Sequence, residues 1–135
     1  MVRYSNKKEV IHDLDVSGFF EGWPNHPDDE TLKKILCNSQ FIQMAIVDVK
    51  LVGFINAISD LILTAYIPLL EVLPEYQGQG IGQKLVTKMK EQLQNFYMID
   101  ICCDQDIISF YEKLSFNQGY SMSLRNYQNQ AGFIK

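Results

Sequence analysis

The sequence lacks any apolar run of the roughly 20 consecutive residues that a membrane-spanning helix requires, so no membrane partner is expected. It has only three cysteines, which form no Cys-x-x-Cys pair, and we expect neither a disulfide framework nor a metal site. These cysteines are expected to be reduced and mostly buried: Cys37, Cys102 and Cys103. Positive charges near Met1 precede no apolar segment, which argues against a secretory signal and favours a cytoplasmic location.

The sequence is also short of positive charge. Its 12 lysines and arginines stand against 16 aspartates and glutamates, and the basic residues form no cluster. Because affinity for nucleic acid comes from clustered Lys and Arg that displace counterions from phosphates, a nucleic-acid partner is not expected. An acidic surface suits a cationic small molecule better. The length predicts one domain over residues 1–135.

The spacing of apolar residues predicts an α/β layered domain with a mixed sheet. For residues 2–16, a strand followed by a helix and a pair of short helices remain alternatives. The elements predicted after them are a helix over residues 28–37, a hairpin of strands 41–47 and 51–58, an apolar run 61–73, a helix 80–95, a strand 97–103, a helix 104–114 and one or two strands within 116–127.

Local features add three predictions to this order. Asp28 or Asp29 is expected to cap the first helix, and Asp104 the last one. Pro68 interrupts the third apolar run, and because proline lacks the N–H of a strand ladder, a bulge or bend is expected there. The unit over residues 62–103 should cross over between parallel neighbouring strands.

A strand, a glycine-rich turn and a helix follow one another between Leu69 and Gly82. The apolar run ends at Pro74, and Gly78, Gly80 and Gly82 alternate with other residues before an amphipathic segment begins. The first amides of a helix lack intrahelical partners and its dipole is positive at that end, while glycines let a phosphate approach the backbone. The segment therefore predicts an anion-binding site.

The spacing of the glycines excludes two common classes of phosphate-binding loop. The dinucleotide-binding pattern Gly-x-Gly-x-x-Gly fails, because Gln83 stands three residues after Gly80. The nucleoside-triphosphate loop Gly-x-x-x-x-Gly-Lys fails as well, because Gln83 stands five residues after Gly78. A nucleotide-binding regulator is thereby disfavoured.

The turn and a second segment together resemble the Gcn5-related N-acetyltransferase (GNAT) superfamily. Gln77-x-x-Gly80-x-Gly82 is similar to the motif with which that family binds acetyl-CoA. Residues 109–116, Ser-Phe-Tyr-Glu-Lys-Leu-Ser-Phe, resemble its second signature, with Ser115 in place of the usual glycine. The resemblance implies a mixed, mainly antiparallel central sheet flanked by helices, whose splayed fourth and fifth strands admit the cofactor.

The resemblance also implies an activity and a cosubstrate. The chain is expected to be an N-acetyltransferase that moves an acetyl group from acetyl-CoA to a primary amine, without a metal. Backbone groups near Leu70 and Val72 would pair with the pantetheine arm, and Lys84 would favour the phosphates. The residues expected to face the pyrophosphate are Gln77, Gly78, Gln79, Gly80, Ile81 and Gly82.

Acetyl transfer further needs an oxyanion donor, a base, and a proton for the leaving thiolate. Tyr111 matches the family's usual general acid, and a phenol with a pKa of about 10 keeps its proton at neutral pH; the alternative is a core tyrosine on an aromatic helix face. A backbone amide near Val72 is the implied oxyanion donor. Glu71 is the candidate base, and the alternatives left open are Tyr66, Glu21, His26 and Asp100.

The loop before the first helix provides candidates for the acceptor pocket. Its aromatic residues can wall an apolar or cationic amine, or simply cap the core: Phe19, Phe20, Trp23 and His26. A small-molecule acceptor is favoured over a protein, and the chain is expected to be a monomer or a homodimer. The alternative function is a non-catalytic acyl-CoA-binding or sensor domain, against which the presence of Tyr111 argues.

Overall fold

The computed structural model describes residues 1–133, which are organised around one six-stranded sheet. The elements are β1 Arg3–Ser5, α1 Asp29–Asn38, β2 Phe41–Val47, β3 Lys50–Ser59, β4 Thr64–Ile67, β5 Leu70–Val72, α2 Ile81–Gln92, β6 Met98–Ile101 and α3 Ile108–Glu112. The strands follow the order β1-β2-β3-β4-β6, and β5 also pairs with β3. All pairs are antiparallel except β4 with β6, which confirms the predicted mixed, mainly antiparallel sheet and its parallel crossover.

The core lies between the central strands and α2. β2 and β3 are buried along almost their whole length, including Met44 and Phe54. Gly53 allows α2 to approach closely, because a Cβ there would lie 3.2 Å from Leu85 and 3.3 Å from Ile81. The buried stripe of α2 that rests on the sheet comprises Ile81, Leu85, Val86 and Met89. The start of α2 is therefore held against the sheet, beside the end of β5.

The amino-terminal half largely follows the prediction. Residues 2–16 form a strand, β1, followed by a 3₁₀ helix over Lys8–Asp13, which is the first of the two alternatives. Asp28 caps α1 by accepting the Thr31 N–H at 2.8 Å. The hairpin of β2 and β3 is confirmed. Within residues 1–133, no helix has both the length and the apolar character needed to cross a membrane.

The third apolar run forms two strands with a β-bulge between them. Ile58 pairs with Tyr66, and Asn56 pairs with Leu69. Between these two pairs β3 has one intervening residue and the opposite chain has two, so the opposite chain carries one extra residue. Pro68 is one of these two intervening residues, as expected of a residue without an N–H for the strand ladder. Beyond the bulge β5 follows β3, while β4 pairs with β6, so a gap opens between β5 and β6. The predicted fourth strand, residues 61–73, is thus divided into β4 and β5, and its second part, β5, is splayed away from the predicted fifth strand, which is β6.

Two predictions about the carboxyl-terminal third are wrong. The side chain of Asp104 makes no capping bond, and a 3₁₀ turn at Gln105–Ile107 precedes the short helix α3. Residues 117–126 contain no strand. Alternating apolar residues predict a strand only where a neighbouring strand completes the ladder, and here the side chains are exposed instead: Tyr120, Met122 and Leu124.

The prediction that the cysteines are mostly buried is also wrong. All three are free thiols, but Cys102 and Cys103 are exposed and Cys37 is only partly buried. Cys102 and Cys103 directly follow β6, the last strand of the sheet, where no further described strand covers them.

Candidate active site

The predicted anion site is the turn that joins β5 to α2. Gly78 and Gly80 adopt left-handed backbone angles, with φ of 77° and 82°, and Gly80 is the N-terminal cap of α2. The first bond within the helix runs from the Lys84 N–H to the Gly80 carbonyl at 3.0 Å. The N–H groups of residues 81–83 therefore point out of the helix start, where the dipole is positive. This arrangement suits a phosphate group.

The side-chain amides of the two glutamines in the turn donate hydrogen bonds to backbone carbonyls. Gln77 Nε2 donates to the Val72 carbonyl at 2.9 Å, and Gln79 Nε2 lies 3.5 Å from the Glu75 carbonyl. The Gln77 N–H donates to the Pro74 carbonyl at 3.3 Å and is thus engaged within the turn. Gln77 therefore tethers the turn to β5, which differs from the expectation that its amide faces the pyrophosphate.

Gly82 leaves the start of α2 open. A Cβ there would lie 3.6 Å from Phe110 and 3.8 Å from Val72, both ordinary contacts, so packing alone does not require glycine. Lys84 is exposed on the first turn of the helix. Lys88, one turn further along, lies with its Nζ 5.6 Å from the centre of the Tyr4 ring and is directed towards β1.

β5 presents a free edge to the gap between β5 and β6. In antiparallel strands, residues whose N–H and C=O face the partner alternate with residues whose groups face away. The Leu69 carbonyl and the Leu73 N–H both bond to β3. The backbone groups of Leu70 and the N–H of Val72 accordingly face the gap, where an extended ligand can pair with them as another strand would. The Val72 carbonyl on the same edge already accepts a hydrogen bond from Gln77 Nε2.

Glu71 connects β5 to the aromatic loop that precedes α1. Its Oε2 accepts the Phe20 N–H at 2.7 Å, and Phe20 holds a left-handed backbone angle of 65° there. Burial raises the pKa of Glu71, and backbone hydrogen bonds from Phe20 and Glu21 oppose that rise. The carboxylate is therefore more basic than an exposed glutamate and sits between β5 and the loop.

The aromatic loop divides into a buried and an accessible part. Phe19 packs edge-on against Phe54 at 5.0 Å, and the buried Phe20 ring lies 4.9 Å from Trp23 and 6.2 Å from His26. Trp23 and His26 themselves are exposed. Two of the four predicted acceptor residues thus belong to the core, while the other two are accessible on the loop that Glu71 holds.

Tyr111 lies on α3 at the opposite side of the gap. Its ring packs edge-on against Phe110 at 5.0 Å and Phe116 at 5.7 Å, and only 6% of the residue is exposed. Burial raises the pKa of Tyr111 to about 12, with a smaller contribution from the nearby Cys103. Tyr111 also lines a cavity of about 490 Å³ beside β6. Tyr111 is thus a buried residue on an aromatic helix face that also lines a cavity, and its role as the general acid stays a prediction.

The cavity beside Tyr111 collects two of the alternative bases. Tyr66 and Asp100 are register partners on β4 and β6, and both line it. Glu21 and His26 instead lie near Glu71. The sequence candidates therefore form two groups, one at each side of the splayed strands.

Ser115 stands where the resemblance leads us to expect glycine. It adopts a left-handed φ of 71°, which glycine reaches more easily, and the next residue, Phe116, donates its N–H to the Tyr111 carbonyl at 3.1 Å. Ser115 thus forms the left-handed turn that follows α3, in a conformation that the glycine expected from the resemblance would adopt with less strain.

Asn56, a buried polar residue that bonds to the bulge before β5, was not among the residues predicted from the sequence. The available signal was one asparagine inside an otherwise apolar strand. Among residues 1–133, no three His, Cys, Asp or Glu side chains are grouped so as to hold a metal ion.

Comparisons with known proteins agree with this geometry. Residues 8–116 match the model of the Acetyltransferase (GNAT) family. An uncharacterized N-acetyltransferase, ycf52 of Pyropia yezoensis, is 33% identical over 121 residues, which cover 83% of this chain and 67% of that protein. Ycf52 of Gracilaria tenuistipitata var. liui is 28% identical over 78% of this chain and 61% of that protein, so the chain spans less than two thirds of it.

A solved structure of an acetyltransferase-like protein from Deinococcus radiodurans R1 extends the likeness to the whole fold. It superimposes with a TM-score of 0.93 at 40% identity, covering 99% of this chain and 94% of that one.

Proposed function

Because the chain belongs to the Acetyltransferase (GNAT) family, we propose that it is an N-acetyltransferase that moves the acetyl group of acetyl-CoA to a primary amine of a small molecule. One observation carries the proposal: the free edge of β5 leads directly into the glycine-capped start of α2. Backbone donors for an extended amide-bearing arm are thus followed by donors for a phosphate, in the order that the pantetheine and pyrophosphate of CoA require.

The donor would lie along this path. The amides at the start of α2, from Gly80 to Gly82, would hold the pyrophosphate, and Lys84 adds positive charge nearby. The pantetheine arm would pair with the gap-facing groups of Leu70 and Val72. Since Val72 is nearer the pyrophosphate turn, the thioester lies towards Leu70. We therefore assign the oxyanion to the Leu70 N–H, a shift of two residues from the sequence-based expectation.

The proposed reaction forms a C–N bond and breaks a C–S bond. The amine nitrogen attacks the thioester carbonyl, and Glu71 accepts the proton that the nitrogen loses, directly or through water. Tyr111 donates a hydrogen bond to the leaving sulfur. The departing thiolate takes a proton from water, and Glu71 returns its proton to the solvent, so the products are the acetylated amine and the free thiol of CoA.

The raised pKa of Tyr111 limits how it acts. An ordinary thiol has a pKa of about 8.5. With a phenol pKa of about 12, complete proton transfer to a thiolate is uphill by about 3.5 units, or roughly 5 kcal/mol. Tyr111 therefore acts as a hydrogen-bond donor while the C–S bond breaks, and burial keeps that donor protonated at every working pH.

A glutamine at position 71 is expected to lower kcat/KM by about tenfold at neutral pH, because it keeps an acceptor for the Phe20 N–H but cannot take a proton. The effect is modest since water reaches a half-buried carboxylate. The acid limb of the wild-type pH profile should lie above the ordinary glutamate pKa, because burial raises the pKa of Glu71. An unchanged acid limb in Glu71→Gln would remove Glu71 as the base.

The same substitution has a stability signature. A carboxyl group whose folded pKa is raised stabilises the protein below its unfolded pKa, and that stabilisation is lost as pH rises through the folded pKa. The melting temperature of Glu71→Gln minus that of the wild type should therefore be larger at pH 8 than at pH 4. Melting curves at the two pH values measure the difference independently of activity.

The alternative, a sensor that binds acyl-CoA without transfer, shares the donor site and differs in outcome. Mixing the protein with acetyl-CoA and a panel of small amines should release free thiol faster than the amine-free control. Thermal stabilisation by CoA without extra thiol would favour the sensor. Stabilisation by ATP or NAD but not by CoA would contradict both proposals.

Several coarser features remain predictions. We propose that residues 1–135 act as one domain, since the described residues share one hydrophobic cluster and the family match covers most of them. The cytoplasmic location, the absence of a metal requirement and the choice between monomer and homodimer stay as predicted from the sequence.

A further inference from the structure

The bulge between β4 and β5 displaces one backbone amide from the strand ladder. In a regular antiparallel ladder, a hydrogen-bonded residue pair exchanges two N–H···O=C bonds. Asn56 and Leu69 make only one of them, from the Asn56 N–H to the Leu69 carbonyl at 3.2 Å. The Leu69 N–H instead donates to the side-chain Oδ1 of Asn56 at 3.1 Å.

The other end of the Asn56 side chain is fixed by α1. Its Nδ2 donates to Ser39 Oγ at 3.0 Å, and that hydroxyl donates to the Ile35 carbonyl at 2.7 Å, at the end of α1. Asn56 and Ser39 are each only 1% exposed. Because the hydroxyl has one proton and gives it to Ile35, the amide can present only its NH₂ to Ser39 and only its oxygen to Leu69.

We propose that Asn56 is a positioning residue for the donor: its side chain replaces the missing ladder carbonyl and so sets where β5 leaves the sheet. This inference rests on the proposed function, since β5 matters here as the strand that pairs with the pantetheine arm. Leu69 directly precedes Leu70 and Glu71, the proposed oxyanion donor and base. A change in the bulge therefore moves both groups relative to the glycine turn, although Asn56 touches neither substrate.

Gln43 offers a matched control. It is also a buried amide, 7% exposed, and lies on the neighbouring strand β2. Its Nε2 donates to Gln92 Oε1 at 2.8 Å, at the end of α2 that lies far from the glycine turn. Removing the Gln43 amide costs one part-buried hydrogen bond and removing the Asn56 amide costs two hydrogen bonds, but only Asn56 bonds to the bulge.

The test compares Asn56→Ala with Gln43→Ala in the full chain. Asn56→Ala should raise the KM for acetyl-CoA and the Kd for CoA, measured by calorimetry, by about tenfold, as expected for a lost buried hydrogen bond that the ligand site needs. Its kcat should fall by a smaller factor. Gln43→Ala should also lower the melting temperature, by less than Asn56→Ala because it removes one hydrogen bond rather than two, and leave KM and Kd at the wild-type values. Equal CoA affinity in the two variants overturns the proposal.

A second variant, Ser39→Ala, tests the proposal even if Asn56→Ala does not fold. Ser39→Ala retains the bond from Leu69 to Asn56 but frees the amide, so it should weaken CoA binding in the same direction and to a smaller extent. If Asn56→Ala does not fold, an unchanged Kd in Ser39→Ala overturns the proposal.

Hydrogen exchange separates this inference from the proposed function. In the ligand-free protein, the amides of Leu69 and Glu71, which bond to Asn56 and to β3, should exchange faster in Asn56→Ala than in Gln43→Ala. Wild-type protein that fails to bind CoA would contradict the donor proposal itself, whereas equal exchange at these amides contradicts only the role of Asn56.

Discussion

Replacing Tyr111 by phenylalanine is expected to lower kcat by about 10²–10³-fold, the usual loss when one hydrogen-bond donor to a developing negative charge is removed. The ring contacts with Phe110 and Phe116 stay in place, because they involve the aromatic face and edges rather than the hydroxyl. The affinity for CoA and the melting temperature should therefore remain near the wild-type values. Steady-state kinetics with a reactive amine, together with calorimetric titration of CoA, measure both quantities.

Tyr66→Phe is the matched control for this experiment. Tyr66 lines the same cavity but lies on β4, across from Asp100 of β6. Its loss should change kcat by only a few-fold. If both tyrosine variants retain wild-type turnover, neither hydroxyl takes part in the reaction, and the phenol at position 111 is only a core side chain.

Replacing Gly80 by alanine is expected to lower kcat/KM for acetyl-CoA by about 10²-fold. Gly80 caps α2 with a φ of 82°, and an alanine held there is strained by roughly 1–2 kcal/mol. Relief of that strain turns the first amides of the helix away from the phosphate. Losing one or two charge-assisted hydrogen bonds, worth about 1.5–3 kcal/mol each, accounts for the expected factor.

The control for backbone strain is Gly22→Ala. Gly22 also has a left-handed φ, 85°, and nothing lies within 4 Å of the position of an added Cβ at either glycine. Both variants should lose similar stability in thermal unfolding, but only Gly80→Ala should lose affinity for CoA. If Gly22→Ala weakens CoA binding equally, the loss at Gly80 reflects general destabilisation and the anion site lies elsewhere.

The parts of the site that the sequence predicted are those encoded by residues with a narrow range of backbone behaviour. Pro68 cannot supply a ladder N–H, so a bulge was expected there, and one is found. Glycines directly before an amphipathic run predict an open helix start, and Gly80 provides it. In each case the constraint acts within a few residues, which is why a sequence can reveal it.

The features that the sequence did not predict depend on distant partners. Tyr120 and Met122 alternate as strand residues do, yet nothing in the sequence says whether a neighbouring strand faces them. Asn56 is one asparagine in an otherwise apolar strand, and its bonds reach Leu69 and Ser39, which lie 13 and 17 positions away in the sequence. The link between Glu71 and Phe20 spans 51 positions, so no local pattern announces it.

That link has a thermodynamic consequence. Glu71 belongs to the strand proposed for the donor and holds, through the Phe20 N–H, the loop proposed for the acceptor. Two ligands that bias one shared element are coupled reciprocally: the factor by which acetyl-CoA changes the affinity for the amine equals the factor by which the amine changes the affinity for acetyl-CoA. In the proposed enzyme, the hydrogen bond from the Phe20 N–H to Glu71 is the contact through which the donor and acceptor sites would be coupled in this way.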